Sequence, residues 1–157
     1  MKLPKSARLH HRSLQERLFS TGIKVHEYPI KMIWNALSME ELHSNFRNTI
    51  PELIGPVQVL VSIPKKKLRK AVDRVLMRRR IREAFRLNRG ELLEVVKELP
   101  QVRTLSIGLV YMKENVAAYE EIEDKMLKLI DKLSIRLKER FNTTDEENNI
   151  ENSDIAH

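Results

Sequence analysis

Arg74, Arg78, Arg82 and Arg86 recur at every fourth residue, with Arg79 and Arg89 close by. On an α-helix this spacing sets guanidinium groups about 6 Å apart along one side, close to the phosphate spacing of an RNA strand. Arginine suits phosphate because its planar fork donates two hydrogen bonds at once and its charge cannot be titrated away. Like charges four residues apart destabilise an isolated helix by a few tenths of a kcal/mol each. A row of this kind therefore makes sense when an anion meets it, and the chemistry it implies is recognition rather than bond breaking. The alternative is a solvated cationic face, against which stand the arginine bias and the adjoining KKKLRK at 65–70.

Other residues with chemical potential are weaker candidates. His10, His11, His26 and His43 could act as general acids or bases, and Glu120, Glu121, Glu123 and Asp124 form an acidic group. A catalytic histidine needs a partner within hydrogen-bond reach, and no spacing here supplies one. The acidic group opens a helical pattern, where the helix dipole favours negative charge. The chain has no cysteine and only four glycines, so thiol chemistry and cysteine-ligated zinc are excluded and no glycine-rich phosphate cradle occurs. No residue is assigned a catalytic or metal-ligating role.

The net charge of +7 over 157 residues is unevenly placed. Residues 65–89 carry twelve basic against two acidic side chains, and residues 1–34 carry seven against two. The remaining segments are net acidic, most strongly 141–157. Clustered cations point to a polyanionic partner, nucleic acid before membrane. No apolar run approaches the roughly 18 residues of a membrane span, and the basic start leads into no apolar signal core. The expectation is a soluble cytoplasmic protein with no membrane partner.

The elements that must carry these residues follow from periodicity. Ser13 and Glu16 have capping-box spacing, so a short helix is expected over 13–20, stopped at Gly22. Ile30, Met32 and Trp34 alternate with Lys31 and Ile33, and Pro29 splits that region into two strand pieces. Residues 35–56 read as a long connection in which Ser38 and Glu41 could cap a short helix. VQVLVSI at 57–63 is a strand with Val57, Val59, Val61 and Ile63 on one face. From about Lys70 to Asn88 a helix docks through Met77, Ile81, Ala84 and Phe85, with Leu76 and Leu87 alongside and Arg74 and Arg80 flanking. ELLEVVKEL adds a turn or two, TLSIGLVYM (104–112) is a central strand, and 118–140 is the clearest helix. The result is a single α+β domain over 1–141 with a disordered acidic tail at 142–157.

At the basic helix the sequence resembles the protein subunit of bacterial ribonuclease P. The family signature is a strand, a lysine pair and a helix reading Ala-Val-x-Arg-Asn-Arg-Ile-Lys-Arg that continues into Arg-Glu-Ala-Phe-Arg. Here stand Lys66-Lys67, Ala71-Val72, Arg74, Met77-Arg78-Arg79 and Ile81-Arg82-Glu83-Ala84-Phe85-Arg86. The flanking RLHHRSLQERLFSTG and the strand and helix from Leu105 are similar to the family's first helix and its last strand and helix. Val75 and Leu76 depart from it, standing where the family usually has Asn and Arg.

The resemblance implies a mixed four-stranded sheet with three main helices in the order α-β-β-β-α-β-α, with a left-handed strand-helix-strand crossover at the basic helix. It also implies an accessory subunit of an endoribonuclease whose catalyst is RNA and whose Mg²⁺ is bound mainly by that RNA. On this footing Lys66, Lys67, Lys70, Arg74, Arg78, Arg79, Arg82 and Arg86 would contact the ribonuclease P RNA. Phe19, Lys24 and Lys31 would line a cleft for the 5′ leader of precursor tRNA, with one protein copy per ribonucleoprotein. The aromatic expected one turn before Phe19 falls on Gln15. The rival readings are a ribosome-associated RNA binder without enzymatic role and a basic amphipathic interaction module.

Overall fold

Eight consecutive residues at 104–111 that are apolar or small on both faces can be shielded only in the middle of a covered sheet. The computed structural model places them there, with every one buried. It describes residues 2–47, 49–51 and 53–155, with side chains described through Phe141. In chain order the elements are α1 (Arg12–Thr21), β1 (Ile23–Glu27), β2 (Ile30–Leu37), α2 (Met39–Asn45) and β3 (Val57–Ser62), followed by α3 (Ala71–Asn88), α4 (Gly90–Lys97), β4 (Thr104–Tyr111) and α5 (Tyr119–Ile155). A 3-10 turn at Lys5–Ala7 precedes them.

The sheet order is β1-β2-β4-β3. β1 and β2 form an antiparallel hairpin turned at Tyr28 and Pro29, whose peptide bond is cis. β2 pairs antiparallel with β4, and β3 pairs parallel with β4. A parallel neighbour cannot be reached by a tight turn, so α3 and α4 form the crossover between β3 and β4. The α+β class and the mixed four-stranded sheet match the expectation, and the two short helices that Ser38–Glu41 and ELLEVVKEL suggested form as α2 between β2 and β3 and α4 after α3.

The strand periodicity divides the core. Met32, Trp34, Val59, Val61, Ile107 and Leu109 face α3, α4 and α5 and belong to the larger apolar cluster. Ile33, Leu37 and Val110 face the other way and pack with Leu14 and Leu18 of α1 and Leu42 of α2. Close approach of α1 to the sheet requires small residues. A Cβ at Gly108 would stand 3.3 Å from Leu18 Cδ2, and one at Gly22 would strike Ile33 and the Leu18 carbonyl.

Several local expectations are revised. The Ser13–Glu16 capping box does not form: α1 starts at Arg12 with His11 before it, and no side chain caps it. Ser13 Oγ instead accepts from Asn45 Nδ2 at 2.9 Å, tying α1 to α2, and Glu16 pairs with Arg12 at 3.0 Å. The box at Ser38 and Glu41 does form, with Glu41 N donating to Ser38 Oγ at 3.1 Å and Ser38 N to Glu41 Oε1 at 3.3 Å. Segment 35–56 is thus less of a loop than expected, because β2 runs to Leu37 and α2 follows. Leu87 is 56% exposed rather than beside the docking stripe, because α3 ends one residue later and turns into α4. α5 continues past 140 to Ile155, with no glycine or proline between 119 and 155 to stop it. Side chains from 142 onward lie outside the described residues, and so does the expectation of a disordered acidic tail at 142–157.

Candidate nucleic-acid interface

α3 docks because Met77, Ile81, Ala84 and Phe85 fall on one side at helical spacing, and all four are fully buried. The opposite side is thereby fixed outward. Arg78, Arg79 and Arg82 stand there with no hydrogen bond or ion pair among the described residues. Burial lowers the Arg82 pKa from its ordinary value, and the positive charges of Arg78 and Arg8 lower it further. Such a group is short of a counter-charge, which a phosphate would supply.

The other arginines of the helix are committed within the protein. Arg74 Nη1 donates to the carbonyls of Leu68 at 2.8 Å and Arg69 at 2.7 Å, stapling the loop before α3. Arg80 Nη1 donates to the Ala117 carbonyl at 2.5 Å, fastening α3 to the approach of α5. Arg86 is held by Glu83 through two bonds of 3.0 and 2.6 Å. That contact holds the Glu83 carboxyl below the usual carboxylate range and raises the Arg86 pKa.

Seven of the eight cations assigned to RNA contact therefore fall into two groups. Arg78, Arg79, Arg82 and Arg86 line a trough of about 570 Å³ whose other wall is the N-terminal segment, through Lys2, Leu3 and Arg8. Val75 lies in the same trough. Lys66, Lys67 and Lys70 border a second trough of about 420 Å³ with Arg69, facing Asp73 and Glu114. Arg74 lines neither, because its guanidinium is turned onto the loop between them.

Phe19, Lys24 and Lys31 come from separate elements. Phe19 is 46% exposed on α1, its ring tip 3.8 Å from where a Cβ of Gly108 would stand. His26 pairs across the hairpin with Lys31, and Lys24 with Ile33, which packs under α1. Cross-strand partners share a face, so Lys24, His26 and Lys31 lie on the α1 side. Lys24 and His26 also border a groove of about 450 Å³ along the β1 edge with Lys132, Arg136 and Glu139 of α5.

Two contributors stood outside the assigned site residues. Arg8 could be read from sequence either as an extension of the cationic surface or as a solvated terminal charge; it bridges in parallel to Val59 of β3 and so stands beside α3. His26 carries no motif, and only the hairpin register sets it opposite Lys31. Three of the four acidic candidates have structural partners: Glu121 pairs with Lys113 at 3.3 Å, Asp124 with Lys128 at 3.4 Å, and Glu123 accepts from Tyr119 at 2.8 Å. His10 and His11 pack ring to ring at 4.4 Å. Among the described residues no group of three or more His, Asp or Glu could hold a metal ion, and no helix is long and apolar enough to cross a membrane.

Comparison with known proteins gives a consistent picture. The family model described as Ribonuclease P matches residues 3–134. The ribonuclease P protein component of Porphyromonas gingivalis strain W83 is 29% identical over 126 residues, which is 80% of this chain and 82% of that one. The same protein from strain ATCC 33277 matches equally, at 29% over 126 residues. Among solved structures, the RNase P protein from Thermotoga maritima superposes with a TM-score of 0.55 at 18% identity, covering 80% of this chain and 96% of that one. The Staphylococcus aureus RNase P protein gives a TM-score of 0.55 at 16% identity, covering 82% and 94%. At such identities these two likenesses speak for the fold.

Proposed function

The chain belongs to the ribonuclease P protein family, the accessory subunit of an endoribonuclease ribonucleoprotein, and from that premise we propose how its surfaces divide the work. The outer side of α3 and the loop at 65–70 bind the catalytic RNA. The α1 side of the sheet, with Phe19, Lys24 and Lys31, receives the 5′ leader of precursor tRNA. One copy of the protein serves one ribonucleoprotein, in the cytoplasm.

The observation that carries this reading is the set of three arginines, Arg78, Arg79 and Arg82, held outward without partners among the described residues on a helix whose opposite side is locked into the core. The chain offers no cleavage machinery of its own in this reading. Mg²⁺, held mainly by the RNA, supplies the hydrolytic chemistry, and the protein's cations reduce the repulsion between the catalytic RNA and its substrate. The gain should be greatest where Mg²⁺ is scarce, because the metal and the arginines then screen the same phosphates. An amphipathic membrane role fits poorly, since the apolar side of α3 is covered by the sheet and α5.

Reconstitution with a bacterial ribonuclease P RNA at low Mg²⁺ tests the proposal. Precursor tRNA should be cut at its 5′ leader faster than by the RNA alone. Equal rates with and without the chain, where another family protein does accelerate cleavage, would leave the ribosome-associated RNA binder as the better reading.

A further inference from the structure

Resting on the ribonuclease P reading, we propose that the trough between the N-terminal segment and α3 seats one unstacked base of the RNA against Val75, between phosphates held by Arg8, Arg78 and Arg82. Val75 sits three and four residues before Arg78 and Arg79, so it projects into the middle of the arginine side. It is 56% exposed, and valine there is a poorer helix former than the lysine or arginine an open cationic face would accept. Tracking phosphates alone would be served by polar residues throughout. An apolar spot ringed by cations fits instead a ligand with a flat apolar body and anionic edges, and a nucleotide has that form.

The walls agree with this occupant. Leu3, itself buried in the core, closes the side opposite Val75, and Arg8 stands on that wall. Arg78 and Arg82 line the trough with no bond to another described residue, and the methylene stems of arginines extend an apolar surface beneath their charged heads. Glu83, the carboxylate among the lining residues, is occupied by Arg86. The volume of about 570 Å³ lies within the range of roughly 300–1,000 Å³ of sites that enclose small ligands. Bases inside an A-form duplex cannot reach such a surface, so the occupant is a base from a bulge, loop or single strand. The second trough, with Asp73 and Glu114 facing its lysines, offers no comparable exposed apolar side chain at its centre.

The test compares binding of a short oligouridylate with that of an abasic ribose-phosphate oligomer of equal length, by fluorescence anisotropy over a salt series. The variants are Val75→Asn, Val75→Leu and Arg82→Gln, each checked for an unchanged thermal melt. Loss of apolar contact to the base should reduce the preference for the base-bearing strand by about three- to tenfold in Val75→Asn, with the salt slope unaltered. Val75→Leu should keep the preference. Arg82→Gln should weaken both ligands and lower the slope by about 0.7. The proposal is overturned if Val75→Asn leaves the preference unchanged, or if Val75→Leu loses it equally. The wild-type chain is assayed in parallel for acceleration of precursor tRNA cleavage. If it accelerates cleavage while the preference is indifferent to residue 75, the base seat fails and the ribonuclease P reading stands.

Discussion

The outer side of α3 and the α1 face of the sheet hold their basic side chains in different ways. On α3 the charges sit at fixed intervals on one rigid element, anchored by four fully buried side chains. They are arginines, which grip phosphates with a defined geometry. Beside α1 the basic side chains are lysines and a histidine contributed by two strands, and Phe19 of α1 is half exposed. Lysine is a point charge on a flexible stem, and an aromatic accepts any base. On the proposed assignment, the first arrangement would suit an RNA of fixed shape, and the second a strand whose sequence and path vary from one precursor to another.

The largest test of this contrast is to remove its common foundation. Phe85→Ala should cost about 3–5 kcal/mol in urea-induced unfolding. Both surfaces should then fail together, because α3 and α1 lie on opposite faces of one sheet. Retained leader binding in a chain that has lost RNA-subunit binding would show the two to be energetically separate. Next in size, the double variant Arg78→Gln with Arg82→Gln should lower the salt dependence of RNA-subunit binding by about 1.4 to 1.8 in slope. Its stability should change by less than about 0.5 kcal/mol, since neither guanidinium has a partner among the described residues to lose.

Phe19→Ala should act on the other surface. We expect it to weaken binding of leader-bearing precursor by about 1 kcal/mol relative to mature tRNA while leaving affinity for the RNA subunit intact. Equal weakening of precursor and mature tRNA would mean that Phe19 serves packing only. The smallest effect concerns Glu83. Its folded pKa is depressed by Arg86, so the contact is fully present above the unfolded value near 4.5 and is lost as pH falls through the lower folded value. Acidification through that window should free Arg86 and raise RNA affinity slightly. Glu83→Gln should remove that increment and bind somewhat more tightly at neutral pH.

What could be read from the sequence follows a physical division. The docking side of α3 was legible because Met77, Ile81, Ala84 and Phe85 are local in sequence and periodic. The central position of β4 was legible because it is apolar on both faces. Illegible were features set by distant partners: Arg8 beside α3 depends on its bridge to Val59, and Ser13 abandons capping for Asn45. The arginines themselves were visible as a row, but not their division into free and committed members. That Arg74 staples the 65–70 loop while Arg78 and Arg82 stay open depends on which carbonyls the loop brings within reach. Val75 was the residue for which sequence offered no account, and its place in the trough gives it one.

The bridge from Arg8 to Val59 has a consequence for solubility. β3 is an outer strand reading VQVLVS, uncharged and rich in valine, the composition most prone to recruit a second chain through its open backbone groups. Residues 6–9 lie along that margin: Leu9 N donates to the Val59 carbonyl at 2.9 Å and Gly55 N to the Ser6 carbonyl at 3.0 Å. The opposite margin of the sheet, β1, is flanked by α5, with Glu27 paired to Lys132 at 2.6 Å, and carries the polar side chains of Lys24 and His26. Removing residues 2–9 would therefore uncover a self-associating strand as well as delete cations. The first turn of the chain is a guard against aggregation, and a shortened protein should be judged by its oligomeric state before its affinity for RNA.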